Sequence, residues 1–220
     1  MISVIIPAKN EEKSIENILL KLRKTNYEII VVDGHSRDNT REIAKKHAHK
    51  VVLDNKKGKG NALKIGASHA EGEILVFIDS DGSHSPNHIK KLVDPILKNK
   101  AEMVIASRVL GGSEEFSGSF ENILHYVTNK IANHLINKRF KANISDSVNG
   151  FRAIKREVFY QLDLHGDGFS IEQEITMKTL KKGYRIHEIP SFEKKRQYGK
   201  SHLSISKWPE LVFGFFRWFI

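Results

Sequence analysis

The chain has 220 residues, 40% of them hydrophobic and 28% charged, the proportions of an ordinary globular protein. These values exclude a disordered or fibrous chain, and the length suits one domain. The lack of cysteine removes disulfide scaffolds, cysteine zinc sites, iron–sulfur clusters and thiol nucleophiles. The net charge of +10 is concentrated, with nine Lys/Arg against two Glu between Lys178 and Lys207. Such a segment suits an anionic partner (nucleic acid, a phosphorylated substrate, an acidic membrane) or a plain solvated face.

Ile2–Ile6 is a continuous β-branched apolar run stopped by Pro7, the pattern of a strand buried on both faces. It is too short for a signal-peptide core and lacks a basic lead, so no targeting segment is expected there. Ile15, Ile18, Leu19 and Leu22 fall at helical spacing. Ile29–Val32 reads as a second buried strand ending at Asp33, Thr40–His47 as a weak helix, and Val51–Leu53 as a third strand. Gly58–Ser68 turns into a helix, and Ile74–Ile78 is a fourth strand ending at Asp79. Ser85 predicts an N-cap and Pro86 a first helical position, ahead of the stripe Ile89, Leu92, Val93 and Ile96. Met103–Ala106 is a fifth strand. The alternation predicts an α/β fold with a mostly parallel central sheet flanked by helices, binding ligands at the carboxyl ends of its strands. Those ends carry Pro7-Ala8, Asp33, Asp79 and Ser107-Arg108. Further on, Gly111–Gly118 reads as a loop and Glu121–Ile136 as a helix. Asp146–Ile154 and Arg185–Phe192 read as strands around a helix at Glu172–Lys181, and Gln197–Ser206 is polar.

Asp79-Ser80-Asp81 sets two carboxylates just past a buried strand, where they can meet a hard divalent ion such as Mg²⁺ or Mn²⁺. An Asp-x-Asp is weak evidence by itself, and its position is what gives it weight. Asp33 can accept from a base N–H or a ribose hydroxyl, whereas Asp38 suits an Asx-turn or helix cap. His84 and His88 stand at i, i+4, but without a third ligand they read as solvated histidines. Gly58-Lys59-Gly60 lacks the remaining residues of a phosphate loop and reads as a turn into a helix.

Taken in order, Ile5-Ile6-Pro7-Ala8-Lys9-Asn10-Glu11-Glu12, Val32-Asp33-Gly34-His35-Ser36-Arg37-Asp38-Asn39-Thr40, Gly58-Lys59-Gly60-Asn61-Ala62 and Asp79-Ser80-Asp81 resemble a family 2 glycosyltransferase with the GT-A nucleotide-sugar-binding fold. Ala106-Ser107-Arg108, Asn149-Gly150-Phe151-Arg152 and Gly199-Lys200-Ser201 resemble its dolichyl-phosphate sugar synthase branch. The resemblance implies that Pro7, Ala8, Glu11, Asp33, Asp79 and Ser80 hold the nucleotide-sugar. It places Mg²⁺ or Mn²⁺ on Asp79 and Asp81, and catalytic roles on Asp81, Arg108 and Arg196. Two departures stand out. Gly34 replaces a frequent second Asp, and His202 replaces the usual Lys of the basic loop. Asp-Gly-His-Ser is also similar to enzymes that use UDP-sugars, so UDP-N-acetylglucosamine or UDP-glucose is favoured over GDP-mannose.

A hydroxyl acceptor needs a general base, whereas a lipid phosphate does not. Glu172 reads as a helix N-terminal charge and Glu174 as orienting a helix or the acceptor end, beside Ser201 and His202. The aromatic and basic tail, residues 204–220 after a catalytic region of 1–203, suits an amphipathic helix facing a membrane surface. If the chain ends at Ile220, its apolar run is expected to be too short to span a bilayer. The expectation is therefore a peripheral enzyme at the cytoplasmic membrane face, moving one sugar to dolichyl (polyprenyl) phosphate. A hydroxyl-acceptor enzyme of surface polysaccharide synthesis is the alternative. A basic nucleic-acid-binding module is the third reading, opposed by the acidic strand ends and the lack of any nucleic-acid motif.

Overall fold

The computed structural model describes residues 1–114, 120–196, 198 and 208–219. Seven strands form one mixed sheet: β1 (Ile2–Ala8), β2 (Glu28–Asp33), β3 (Lys50–Leu53), β4 (Ile74–Phe77), β5 (Met103–Ser107), β6 (Arg152–Lys155) and β7 (Ile186–Pro190). Their order is β3-β2-β1-β4-β6-β5-β7. Every pairing is parallel except those of β6, which runs antiparallel to β4 and β5. The chain leaves β1 toward β2 and β3, then returns to lay β4 on the other side of β1. That reversal opens a crevice at the carboxyl ends of β1 and β4, where open α/β sheets bind ligands.

The strand residues alternate between two cores, as a period of two requires. Val4, Ile6, Ile29, Val31, Val76 and Val104 face one, packed under α1 (Ile15–Leu22), α2 (Thr40–His47) and α4 (Ile89–Leu97). Ile5, Ile30, Val32, Leu75, Phe77 and Ile105 face the other, under α3 (Lys59–Ser68), α7 (Arg156–Gln161) and α8 (Ile171–Lys181). Burial on both faces explains why these strands read as unbroken apolar runs. Gly66 lets α3 lie directly on the sheet, since a Cβ there would come within 2.3 Å of Ile5 Cγ2.

Two elements escaped the sequence reading, the short helix α5 (Arg108–Gly111) and α7. The strand expected from Asp146 begins only at Arg152, because the stretch before it turns to present Asp146 and Asn149. Ser85 holds the N-cap position with Pro86 behind it, but its side chain makes no capping bond and the first turn is 3₁₀. The expected helix after the loop runs longer, as α6 (Phe120–Phe140). The tail forms α9 (Trp208–Phe219), which docks through buried Phe215 against Ile136 and Met177. Among the described residues, no helix is long and apolar enough to cross a membrane.

Candidate active site

Ala8 and Asp33, the last residues of β1 and β2, are register partners, and Asp79 lies two residues beyond β4. The Asp79-Ser80-Asp81 turn is tied to β1 by its central residue. Ser80 Oγ donates to the Pro7 carbonyl (2.9 Å), and Ser14 Oγ donates to the Ser80 carbonyl (2.8 Å). Ser80, expected on the nucleotide, is thus buried and fixes the turn.

Lys59 stands at the first position of α3, and its Nζ lies 2.6 Å from Asp79 Oδ1 and 2.8 Å from Glu172 Oε1. Burial opposes the ammonium, but the two carboxylates outweigh it and hold the Lys59 pKa well above the usual lysine range. Burial likewise pushes the Asp79 carboxyl up, and Lys59 more than offsets this. Gly150 makes the approach possible, since a Cβ there would sit 2.8 Å from both Asp79 Oδ2 and Lys59 Nζ. Sequence reading passed over Lys59 as part of a turn. Its one signal was a lysine flanked by glycines at a helix start facing the site edge.

Asp81 Oδ1 accepts from the Ser83 backbone N–H (3.0 Å) and hydroxyl (2.7 Å), leaving Oδ2 toward Arg196 Nη2 at 3.3 Å. Arg196 Nη1 donates to Glu11 Oε1 at 2.7 Å, so the arginine from the far end of the chain spans both expected donor-binding acids. Arg108 belongs to an adjoining cluster. Its Nε and Nη2 fork onto fully buried Asp146 (2.7 and 2.9 Å), and Nη1 reaches Glu193 Oε1 at 3.5 Å. Burial opposes the Asp146 charge, but Arg108 holds its pKa below the ordinary value. His84 joins the two clusters: it is buried against Phe151, with Nε2 3.6 Å from Glu193 Oε1. Burial pushes its pKa down, which favours the neutral ring. The expectation of a solvated histidine is wrong here because Phe151, just before β6, packs against the ring. His88 turns instead to Ser191 Oγ (3.0 Å), so the two do not form a metal pair.

Asp33 lies at the predicted strand end but is wholly shut from solvent. Its oxygens accept from the Ser36 N–H, and Oδ2 also takes Arg41 Nε (2.9 Å) and Nη2 (2.7 Å). Asp38 makes the expected Asx-turn, accepting the Thr40 N–H at 3.0 Å. Glu174 stands apart from the acidic pair. Fully buried, it accepts the His165 (2.8 Å) and Gly166 (2.7 Å) N–H groups and pairs with Lys178 at 2.8 Å. It thereby fixes a loop whose Asp167 and Gly168 carbonyls receive the Asn61 and Gly60 N–H groups beside Lys59. Glu172 does open a helix as expected, but burial and Lys59 make it part of the site. Arg152, buried with its pKa lowered to about 10 by that burial, donates to the Ser147, Asn149 and Glu172 carbonyls and clamps this turn to α8. Ser201 and His202 lie outside the described residues.

Among the described residues, no three acidic or histidine side chains gather as a metal cage. Two carboxylates, Asp79 and Asp81, remain as hard oxygen ligands. That is how Mg²⁺-like ions are held when substrate phosphates complete the shell.

A doubly wound sheet with paired carboxylates at its switch point, ringed by Lys59 and Arg196, is an arrangement suited to a divalent ion and a phosphorylated ligand. The comparisons make the class specific. Residues 3–163 match the model of glycosyl transferase family 2, and the chain belongs to that family. A dolichol-phosphate mannosyltransferase of Pyrococcus furiosus is 33% identical over 211 residues, 92% of this chain and 59% of the relative. The glycosyltransferase AglJ of Haloferax volcanii is 27% identical over 196 residues, 86% of this chain and 62% of the relative. The chain therefore spans about three-fifths of these two relatives. Glucosyl-3-phosphoglycerate synthase of Mycobacterium tuberculosis, solved with Mn²⁺, UDP and phosphoglyceric acid, shares the fold with a TM-score of 0.76 at 22% identity. That match covers 100% of this chain and 78% of the solved one.

Proposed function

We propose that the protein moves one sugar from a nucleotide-sugar to a dolichyl (polyprenyl) phosphate, with inversion at the anomeric carbon. The observation carrying this reading is the state of the two acids that a hydroxyl acceptor would need. Glu172 is salt-bridged to Lys59, and Glu174 is consumed by two backbone N–H groups and Lys178. A phosphate oxygen attacks without a base. As it bonds to the anomeric carbon, the bond from that carbon to the diphosphate oxygen breaks and the nucleoside diphosphate departs. Arg108 and Arg196 balance the charge of the acceptor phosphate and leaving group. Asp79 and Asp81 fit Mg²⁺ or Mn²⁺, which would neutralise the diphosphate, and the solved relative with Mn²⁺ and UDP supports that choice. The Pyrococcus relative's name supports the acceptor class.

α9 supports a peripheral place at the cytoplasmic membrane face. Val212, Phe213 and Phe216 remain exposed, Phe213 by 80%, while Phe215 anchors the helix to the protein. Aromatics with Arg217 among them suit the interfacial zone of an anionic bilayer. The test is a transfer assay with dolichyl phosphate, Mg²⁺ or Mn²⁺, and labelled UDP-glucose, UDP-N-acetylglucosamine or GDP-mannose. Label in the organic phase from one donor, with a UDP-sugar expected, supports the reading. Nucleotide binding without label in lipid from any donor overturns it in favour of a hydroxyl acceptor.

A further inference from the structure

We propose that the cavity beneath α9 is a binding site for the anionic head group of a bilayer phospholipid, separate from the seat of the acceptor. The inference rests on the placement of α9 at a membrane surface argued above. The cavity measures about 450 Å³, within the range of small-molecule sites. The loop from His165 to Ser170 lines one side, and α9 lines another through Phe213, Gly214, Arg217 and Trp218. Lys57 and Gly58, just ahead of α3, complete the lining. These walls are held in place. Glu174 accepts the His165 and Gly166 N–H groups, and the loop in turn accepts the Asn61 and Gly60 N–H groups. Phe215 anchors α9 in the core, and Gly214 seats it closely, since a Cβ there would come within 2.6 Å of Ser170 Cβ. Trp218 stacks on His165, with ring centres 6.0 Å apart, and its ring centre lies 4.4 Å from Lys178 Nζ.

Charge then selects the ligand. Asp167 is the one acid of the lining, and Lys64 pairs with it at 2.8 Å. His165 has its own acid, Asp163, at 3.2 Å. Lys57 and Arg217 have no ion-pair partner among the described residues, so the cavity keeps two uncompensated cations. The guanidinium carbon of Arg217 stands 4.7 Å from the Trp218 ring centre, a cation–π contact that consumes none of its N–H donors. A planar fork beside a lysine point charge suits a phosphate ester. A free anion would leave the aromatic lining of Phe169, Phe213 and Trp218 unused. Phe213 is largely exposed, and Val212 and Phe216 beside it continue that apolar surface outside the cavity. A glycerophosphate held by Lys57 and Arg217 therefore sends its chains along Phe213 into the layer these side chains face. The acceptor phosphate is a different group, because Arg108 and Arg196, which balance its charge, do not line this cavity.

The chain has two tryptophans, so Trp208→Phe in the full chain leaves Trp218 to report on the cavity by fluorescence. Calorimetry on the unmodified chain repeats each comparison. Dihexanoyl phosphatidylglycerol, below its micellar concentration, is expected to bind at least about tenfold more tightly than dihexanoyl phosphatidylcholine or inorganic phosphate. Lys57→Gln and Arg217→Gln, both at exposed positions, should each weaken it at least about fivefold. Lys90→Gln with Lys91→Gln removes two exposed charges from α4, on the other face of the sheet, and should change it less than about twofold. Equal binding of the two lipids, equal binding of phosphate and lipid, or equal losses in the α4 control overturns the proposal. Citronellyl phosphate, a soluble prenyl phosphate, should not displace phosphatidylglycerol at equal concentration, and displacement would make the cavity the acceptor's own seat and overturn it. Sedimentation with phosphatidylglycerol vesicles separates the two levels of inference. A chain that sediments yet gives no saturable Trp218 or calorimetric response overturns this site alone. A chain that sediments with no vesicle overturns the membrane placement of α9, and this site with it.

Discussion

Replacing Lys59 with methionine keeps the length of the side chain and deletes the ammonium between Asp79 and Glu172. Breaking a buried pair so that a charge is left uncompensated costs about 3–5 kcal/mol. Asp79 keeps 30% of its side chain in solvent, which argues for the lower end, about 3 kcal/mol. With a urea m-value of about 3 kcal/mol/M, that is a midpoint shift of about 1 M. The loss is pH-dependent. In the wild type, Lys59 holds the Asp79 pKa below its ordinary value, so the pair's stabilisation is full above about pH 4 and fades only as pH falls through the depressed value. In Lys59→Met, burial, which raises the Asp79 pKa and is its largest influence, is opposed only by the more distant His84 and Arg196. The mutant then binds a proton more readily folded than unfolded, and its deficit shrinks as pH falls. Urea titrations followed by tryptophan fluorescence at pH 7.5 and 4.5 should show a smaller gap at the lower pH. Adding Glu172→Gln should recover part of the loss at pH 7.5. A gap under about 1 kcal/mol, or one that is equal at both pH values and untouched by Glu172→Gln, refutes the view that Lys59 holds two buried carboxylates together.

Asp81→Asn should lower transfer at least about 100-fold with little change in thermal midpoint, because the residue is partly exposed and is proposed above to hold the metal. Full activity in that variant would exclude the role. Gly150→Ala should cost about 1–3 kcal/mol in urea and impair transfer, since the new Cβ strikes Asp79 and Lys59 together. Unchanged stability would mean the pair can move aside freely. Glu102, whose pKa is held at about 2 by hydrogen bonds from Arg185, stabilises the fold above pH 4.5, and that contribution is lost as pH falls from there toward 2. Glu102→Gln should flatten the acid side of the stability curve, read as urea midpoint against pH. UDP affinity should fall at least about 100-fold in EDTA relative to Mn²⁺, and titration calorimetry showing equal affinities would exclude a metal bridge.

The parallel half of the fold was legible because its strands are buried on both faces, so apolar runs such as Ile29–Val32 announce themselves without alternation. Asp33 and Asp79 followed from the same logic, as acids at strand ends. What escaped were residues whose meaning depends on partners far along the chain. Lys59 gains its role from Asp79 and from Glu172, 113 positions beyond it. Arg108 was expected at the site, but its partners Asp146 and Glu193 were not, since no local pattern links these three. His84 was read as solvated because no third metal ligand was evident, whereas its ring is covered by Phe151, 67 positions along the chain.

The charge arithmetic of the site runs against that of the chain. The net charge of +10 invites the idea that an anionic substrate is drawn in by excess positive charge. Yet Arg41, Lys59, Arg108 and Arg196 each face carboxylates: Asp33; Asp79 and Glu172; Asp146 and Glu193; Glu11 and Asp81. With Arg152 buried beside Glu172, five cations therefore stand against seven acids, and His84 adds nothing while neutral. With every carboxylate ionised, the site carries two negative charges in excess, and a diphosphate would be repelled from it. A divalent ion on Asp79 and Asp81 reverses that balance where the phosphates must lie, and would give Arg196 reason to exchange Asp81 for phosphate oxygen. The acids do more than ligate: they hold each cation at a fixed place before any substrate arrives, so that little reorganisation is needed when charge builds on the leaving group. The basic excess of the sequence is concentrated from Lys178 onward, in the segment that also supplies Arg196 to the site.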